Sequence, residues 1–211
     1  MALEHEYALL GGVNRAKVGR YLALVSAAVS AVAVLISSGL SAWLEGRGLP
    51  REWTGWIASA VSAGVSWTCL YWLLDNYAWR WPPIGRALGV PDLSGNWKVK
   101  GQSLKADKSL GFTWEGTLTV IQKWDKLRVR LATSQSASVS ITAAILCESG
   151  VGWRLFYTYR NEPKIGEPEL QPHRGSADIL FTPDRKTGSG EYFNGLGRFT
   201  FGTMELTKEA R

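Results

Sequence analysis

The residues best suited to chemistry in this chain are aromatic rings set beside cations and hydroxyls. Trp124, Tyr157, Tyr159 and Tyr192 offer flat faces, Arg128, Arg130, Arg160 and Arg198 offer guanidinium forks, and Ser134, Ser136, Ser138 and Ser140 form a run of alternating hydroxyls. Bases stack on aromatic rings for ~1–3 kcal/mol each, and arginine forks match phosphate oxygens. A set of this kind suits an anionic ligand that carries bases. Taken singly, each residue has a plainer role, the Trp as core and the Arg as a solvated strand face.

Bond-breaking chemistry is poorly supplied. The chain has no GxSxG, Walker loop, HExxH or Gly-rich dinucleotide fingerprint. His5 and His173 are its only histidines, so a Ser/His or metal-hydrolase site is hard to assemble. Cys69 and Cys147 lack metal-site spacing and sit in unlike regions, which fits a reducing compartment better than a disulfide. The chain reads as a binder without catalytic residues, metal or cofactor.

The elements that must position these groups fall into two unlike halves. Residues 21–44 and 53–74 contain no charged side chain, and only a short loop separates them. About 20 apolar residues suffice to cross a bilayer as a helix, so the pair predicts a two-helix transmembrane hairpin. Arg15, Lys17 and Arg20 precede it and Arg80 and Arg86 follow it, against Arg47 and Arg51 in the loop. That bias places both termini in the cytoplasm. Small residues recur at every fourth position, as Ala23, Ala27 and Ala31 and as Gly55, Ser59 and Ala63. Such rows let helices approach closely, within one hairpin or between protomers. Residues 1–20 read as a polar lead and residues 75–91, with three prolines in 80–95, as a stiff connector.

From residue 92 onward the pattern becomes period two. Residues 92–211 carry 17 Lys and Arg against 13 Asp and Glu, a mildly basic balance. Trp97 and Val99, then Leu118 and Val120, then Leu127, Val129 and Leu131, alternate with polar residues. Further alternating runs cover Val139 to Cys147, Trp153 to Arg160, Ala177 to Phe181, Gly188 to Asn194 and Arg198 to Thr207. About eight strands without an intervening helix predict an antiparallel, up-and-down β-barrel, or less readily a sandwich. An eight-stranded barrel can hold one small ligand.

Five blocks carry a family resemblance: Asp92-Leu-Ser-Gly-Asn-Trp97, the stretch Gln122 to Thr133 with Ser136 and Ser138, Leu155 to Pro163, His173-Arg-Gly175 leading into Ile179, and Gly190 to Asn194 with Gly197 to Leu206. In this order behind a two-pass hairpin, they resemble the two-transmembrane, β-strand-rich effectors of bacterial cyclic-oligonucleotide antiphage systems (CBASS). The resemblance implies a barrel that senses a cyclic di- or oligonucleotide made by a partner nucleotidyltransferase. It further implies an inner-membrane protein that oligomerises on binding and disrupts the membrane, with no DNA or RNA partner. Carried over, it names Trp124, Arg130, Ser136, Ser138, Tyr157, Tyr159, Asn161, His173 and Arg198 as ligand-binding residues. The alternative is a membrane-tethered, lipocalin-like carrier of a lipid or other apolar molecule, which needs an apolar barrel interior.

Overall fold

A computed structural model describes residues 4–47, 63–105, 107–167, 170–195 and 199–210. The chain divides into two compact units: a strand-rich one, formed by the residues up to Gly12 together with those from Pro82 onward, and a helical one from Val13 to Trp81.

In the helical unit, α1 runs from Arg15 to Glu45 and α2 from Ala63 to Asn76, followed by a single 3-10 turn, Ala78–Arg80. Arg15–Trp43 is the one helical stretch among the described residues that is long and apolar enough to cross a membrane. The described 14 residues of α2 are too short by themselves, and residues 53–62 of the expected second span lie outside the described residues, as do Gly55, Ser59 and Ala60. The two helices meet through serines. Ser26, Ser30 and Ser37 are buried on α1, and the Ser30 hydroxyl lies 3.2 Å from that of Ser66 on α2. Ala23, Ala27 and Ala31 are exposed, so the alanine row does not form this contact. The reason is angular: Ala27 and Ala31 each follow a buried serine, Ser26 and Ser30, by one residue, which turns them about 100° round the helix.

In the strand-rich unit, the connector expected over 75–91 is largely helical. Pro82 opens a short helix α3 (Pro82–Leu88), where a missing N–H costs nothing, and Gly89 ends it at φ +66. Eight strands follow: β2 (Gly95–Leu104), β3 (Leu110–Gln122), β4 (Lys126–Thr133), β5 (Ser136–Glu148), β6 (Gly152–Pro163), β7 (His173–Phe181), β8 (Thr187–Asn194) and β9 (Phe201–Lys208). Each pairs antiparallel with the next, and β2 pairs with β9, so the sheet closes into a barrel.

Among the described residues the barrel has nine strands against the expected eight or so. Residues His5–Leu10, expected as polar lead, form β1. This strand pairs antiparallel with β4 (His5 opposite Leu127) and parallel with β5 (Tyr7 opposite Ala143). It lies in a fork. β4 and β5 pair directly only at Arg130–Val139, Leu131–Ser138 and Ala132–Ala137, and then diverge. The observed order, unlike the expected up-and-down one, is therefore neither purely antiparallel nor purely sequential. One half-buried turn of sequence, HEYALL, is too short for periodicity to distinguish from a polar segment.

A β-bulge at Ile141 decides which face of β5 is inside. Simple alternation would group Val139, Ile141, Ala143 and Ile145 on one face. Instead Ser140 pairs with Tyr159 and Thr142 with Thr158, leaving Ile141 as the extra residue. Ser138, Ser140 and Ile145 are all buried, and Ile141 is exposed.

The interior is graded. At the end where β2 begins, Trp97 packs on Phe181 with ring centroids 4.6 Å apart, among Leu118, Ile145, Leu155, Ile179 and Leu206. That end is closed by residues 91–94: Gln122, almost fully buried, accepts from the Leu93 N–H at 3.0 Å and donates to the Pro91 carbonyl at 2.9 Å. The opposite end stays open.

Candidate functional site

The open end holds a cavity with about 730 Å³ of empty space, counted out through its mouth into solvent. Its walls are built in layers, because residues opposite one another in an antiparallel ladder share a face. Leu131, Ser138, Asn161 and His173 are successive register partners across β4 to β7 and form the upper row. Tyr159, Gly175 and Asn194 form the next, across β6 to β8. Tyr157, Ala177, Tyr192 and Gly202 form the third, reaching β9.

Two glycines give the aromatic rings their shelves. A Cβ on Gly101 would stand 2.0 Å from the Trp114 indole, so the indole lies flat over β2. A Cβ on Gly175 would stand 2.6 Å from the Tyr159 ring and from the Phe193 carbonyl. Hydrogen bonds then hold the rings. Trp114 Nε1 donates to the Tyr192 hydroxyl at 3.1 Å, which also meets Ser103 Oγ at 2.9 Å. Tyr159 donates to Asn194 Oδ1 at 2.8 Å, and Asn194 donates onward to Thr200 at 2.7 Å.

Other polar groups are held without being used. Ser138, Tyr157, Asn161 and His173 are each more than nine-tenths buried, at 4%, 4%, 7% and 7% exposure. Among the described residues, the Ser138 hydroxyl, the Tyr157 hydroxyl and the Asn161 amide have no hydrogen-bond partner, although all three line the cavity. His173 Nδ1 lies 2.9 Å from the Gln171 carbonyl and therefore carries its proton. In the neutral ring this leaves Nε2 as an acceptor. Burial drives the Tyr157 phenol far above its ordinary range, with Tyr159 adding to the effect, so it remains a neutral donor. The side chains are held in the wall while their polar atoms open onto the cavity, so four groups converge there with spare hydrogen-bonding capacity.

None of the described lining residues is Lys, Arg, Asp or Glu. An ionised phosphate would lose too much hydration in such a wall, so the cavity suits the uncharged, hydrogen-bonding parts of a ligand. Lys105 and Lys108 stand exposed in the β2–β3 loop, and Lys164 in the β6–β7 loop, at the same end of the barrel. Among the described residues, no group of His, Cys, Asp and Glu could hold a metal ion.

Of the residues singled out in the sequence, Ser134, Ser136, Ser138, Tyr157, Tyr159, Asn161, His173 and Tyr192 lie on the cavity wall. Trp124 does not. It sits in the β3–β4 turn at the closed end, 2% exposed, because hairpin connectivity puts that turn opposite the mouth. Arg130 is exposed between inward Val129 and Leu131, as period two requires. Arg198 lies outside the described residues. Trp114, Thr133, Asn194 and Met204 line the cavity and were not singled out. Trp114 was legible as inward from its step of four to Leu118; only barrel closure puts it at the mouth rather than in the core.

Residues 88–208 match the family described as "Cap15, cyclic dinucleotide receptor domain", and residues 16–80 match "Cap15, TM helices". A curated relative, CD-NTase-associated protein 15 of Yersinia aleksiciae, is 40% identical over 204 residues, covering 97% of each chain.

Proposed function

The chain belongs to the Cap15 family, and we propose that it is a membrane-tethered antiphage effector that takes the bases of a cyclic dinucleotide into the open end of its barrel. The observation that carries this is the set of four buried polar side chains, Ser138, Tyr157, Asn161 and His173, which face the cavity with unspent hydrogen-bonding capacity. Base edges present complementary donors and acceptors, and Trp114, Tyr157 and Tyr159 supply faces for stacking. The two phosphates stay at the rim, near water and the loop lysines. A polar wall of this kind disfavours the lipid-carrier alternative.

Connectivity supports a two-pass topology. Strand β1 precedes the helical unit and β2 to β9 follow it, yet all nine share one barrel. A folded barrel occupies one side of a bilayer, so the chain between Gly12 and Pro82 crosses an even number of times. α1 supplies one crossing, and the charge-free residues 53–74 supply the other. The excess of Lys and Arg at residues 15, 17, 20, 80 and 86 supports a cytoplasmic barrel at the bacterial inner membrane. The ligand comes from a partner nucleotidyltransferase. Binding favours an oligomer in which neighbouring hairpins gather and disrupt the membrane, to the extent that the ligand binds that state more tightly.

The test is calorimetric titration of the full chain in detergent micelles with cyclic di-AMP, cyclic di-GMP and cyclic GMP–AMP, with the linear dinucleotides as controls. Saturable binding of one cyclic compound is expected, followed by a rise in particle mass and by dye release from liposomes carrying the protein. A folded protein that binds none of them would overturn the proposal. Binding without a change in mass or leakage would overturn the oligomerisation step alone.

A further inference from the structure

The N-terminal strand ties the cavity wall to the first membrane helix. At the fork between β4 and β5, Ser140 Oγ accepts the Val129 N–H at 2.9 Å and lies 2.7 Å from His5 Nε2 on β1. His5 Nδ1 faces the Glu6 carbonyl at 2.9 Å and so carries the proton, leaving Nε2 of the neutral ring to accept from the Ser140 hydroxyl. Ser140 is fully engaged, and it is not a cavity-lining residue. Two residues away on the same strand, Ser138 belongs to the upper row of the cavity beside Asn161. The fork is thus fastened directly below the wall that meets ligand.

From His5, β1 runs toward the closed end. Tyr7 is 2% exposed and donates to the Trp124 carbonyl at 3.0 Å, while the next residues pair with Ala144 to Leu146. Beyond Leu10 the chain turns at Gly11, φ +80, and at Gly12, which lies against Gly89, where a Cβ would come within 3.2 Å of the Gly12 Cα. Asn14 then caps α1 through the Ala16 N–H at 2.8 Å. Only residues 11–14 separate the barrel strand from the membrane helix.

We propose that β1 is the element through which occupation of the cavity reaches the first membrane helix, with His5 and Ser140 as the positioning residues that fasten it to the cavity wall. The inference rests on the cyclic dinucleotide reading. At six residues β1 is the shortest of the described strands, and short segments with few ladder bonds carry conformational signals because they open below the global cost. A ligand bridging Ser138 and Asn161 holds β5 and β6 in register, keeps the fork closed and pins β1.

Amide hydrogen exchange on the full chain in micelles tests this, with whichever of cyclic di-AMP, cyclic di-GMP and cyclic GMP–AMP binds. At ~100 times its dissociation constant, a ligand slows amides that open only with its site by about 100-fold. Amides of Tyr7 to Leu10 are expected to slow with those of the cavity strands. Ser140→Ala should keep ligand affinity within about threefold and cavity protection intact, while the β1 response falls at least tenfold. Ser140→Thr, which keeps the hydroxyl, should retain the response. If cavity amides slow and β1 amides do not in the unmodified chain, transmission through β1 is overturned and the receptor reading stands. If no amide near the cavity responds to any compound, both fall. A Ser140→Ala protein with an undiminished β1 response refutes the role of the His5–Ser140 pair.

Discussion

Replacing Asn161 with Leu should make the empty protein more stable and the receptor worse, and the opposed signs are diagnostic. Asn161 is 7% exposed, lies between Ser138 and His173, and its amide has no partner among the described residues. Burying a polar group without a hydrogen bond costs ~1–3 kcal/mol on protein scales. The amide keeps some access to water, so we take about 1 kcal/mol as the gain from an apolar side chain of similar volume. For a unit of this size that raises the melting temperature by roughly 2–4 °C. With ligand bound, the same replacement leaves a ligand donor or acceptor buried without its partner, at ~1–3 kcal/mol. That weakens binding about 5- to 150-fold. The assay is paired: far-UV circular dichroism melting of the full chain without ligand, and calorimetric titration with the cyclic dinucleotide. A lower melting temperature with unchanged affinity would show that Asn161 is structural, and the reasoning from unspent hydrogen bonds would be wrong.

Gly175→Ala and Gly101→Ala should each move an aromatic ring, since their new Cβ atoms would stand 2.6 Å from the Tyr159 ring and 2.0 Å from the Trp114 indole. Loss of one stacked base costs ~1–3 kcal/mol, and a titration showing wild-type affinity in both would refute the shelf argument. Arg130→Ala, on the exposed face of β4, should leave affinity within about twofold, and a larger loss would return Arg130 to the site. The Tyr157 phenol has a folded-state pKa raised by burial above its ordinary value of about 10. Its contribution to stability is therefore complete below about pH 10 and is lost as pH rises beyond it, when the unfolded chain ionises first. Tyr157→Phe should flatten the fall in denaturation free energy between pH 9 and 11, measured by urea titration (a window of order one unit about the ordinary phenol value); an unchanged slope would count against it. Joining residues 4–12 through a short flexible linker to a barrel beginning at Pro82 should raise its melting temperature over the barrel alone. Burying Tyr7 contributes about 2 kcal/mol, or roughly 4–8 °C, and equal melting would deny β1 its place in the fork.

Much of this protein is determined by local sequence. Charge-free runs, alternating strands and Gly or Asp turns each act over a few residues, so the apolar helix and the order of β2 to β9 follow from patterning. Of the wall residues, Ser134, Ser136, Ser138, Tyr157, Tyr159 and Tyr192 were also legible as a serine run and aromatic positions, whereas Asn161 and His173 came only from the family resemblance.

Closure is not a local property, and the tertiary structure alone decided what depends on it. Which end is shut by Gln122 and the residues 91–94 decided that Trp114 belongs to the mouth and Trp124 does not. The single extra residue Ile141 reversed the face assignment along β5, because a one-residue offset in a period-two element exchanges inside for outside. Strand β1 has no pattern long enough to announce itself; its place exists only because β4 and β5 diverge. Periodicity reports what one segment buries, whereas a fork between two distant strands is known only once both are in place.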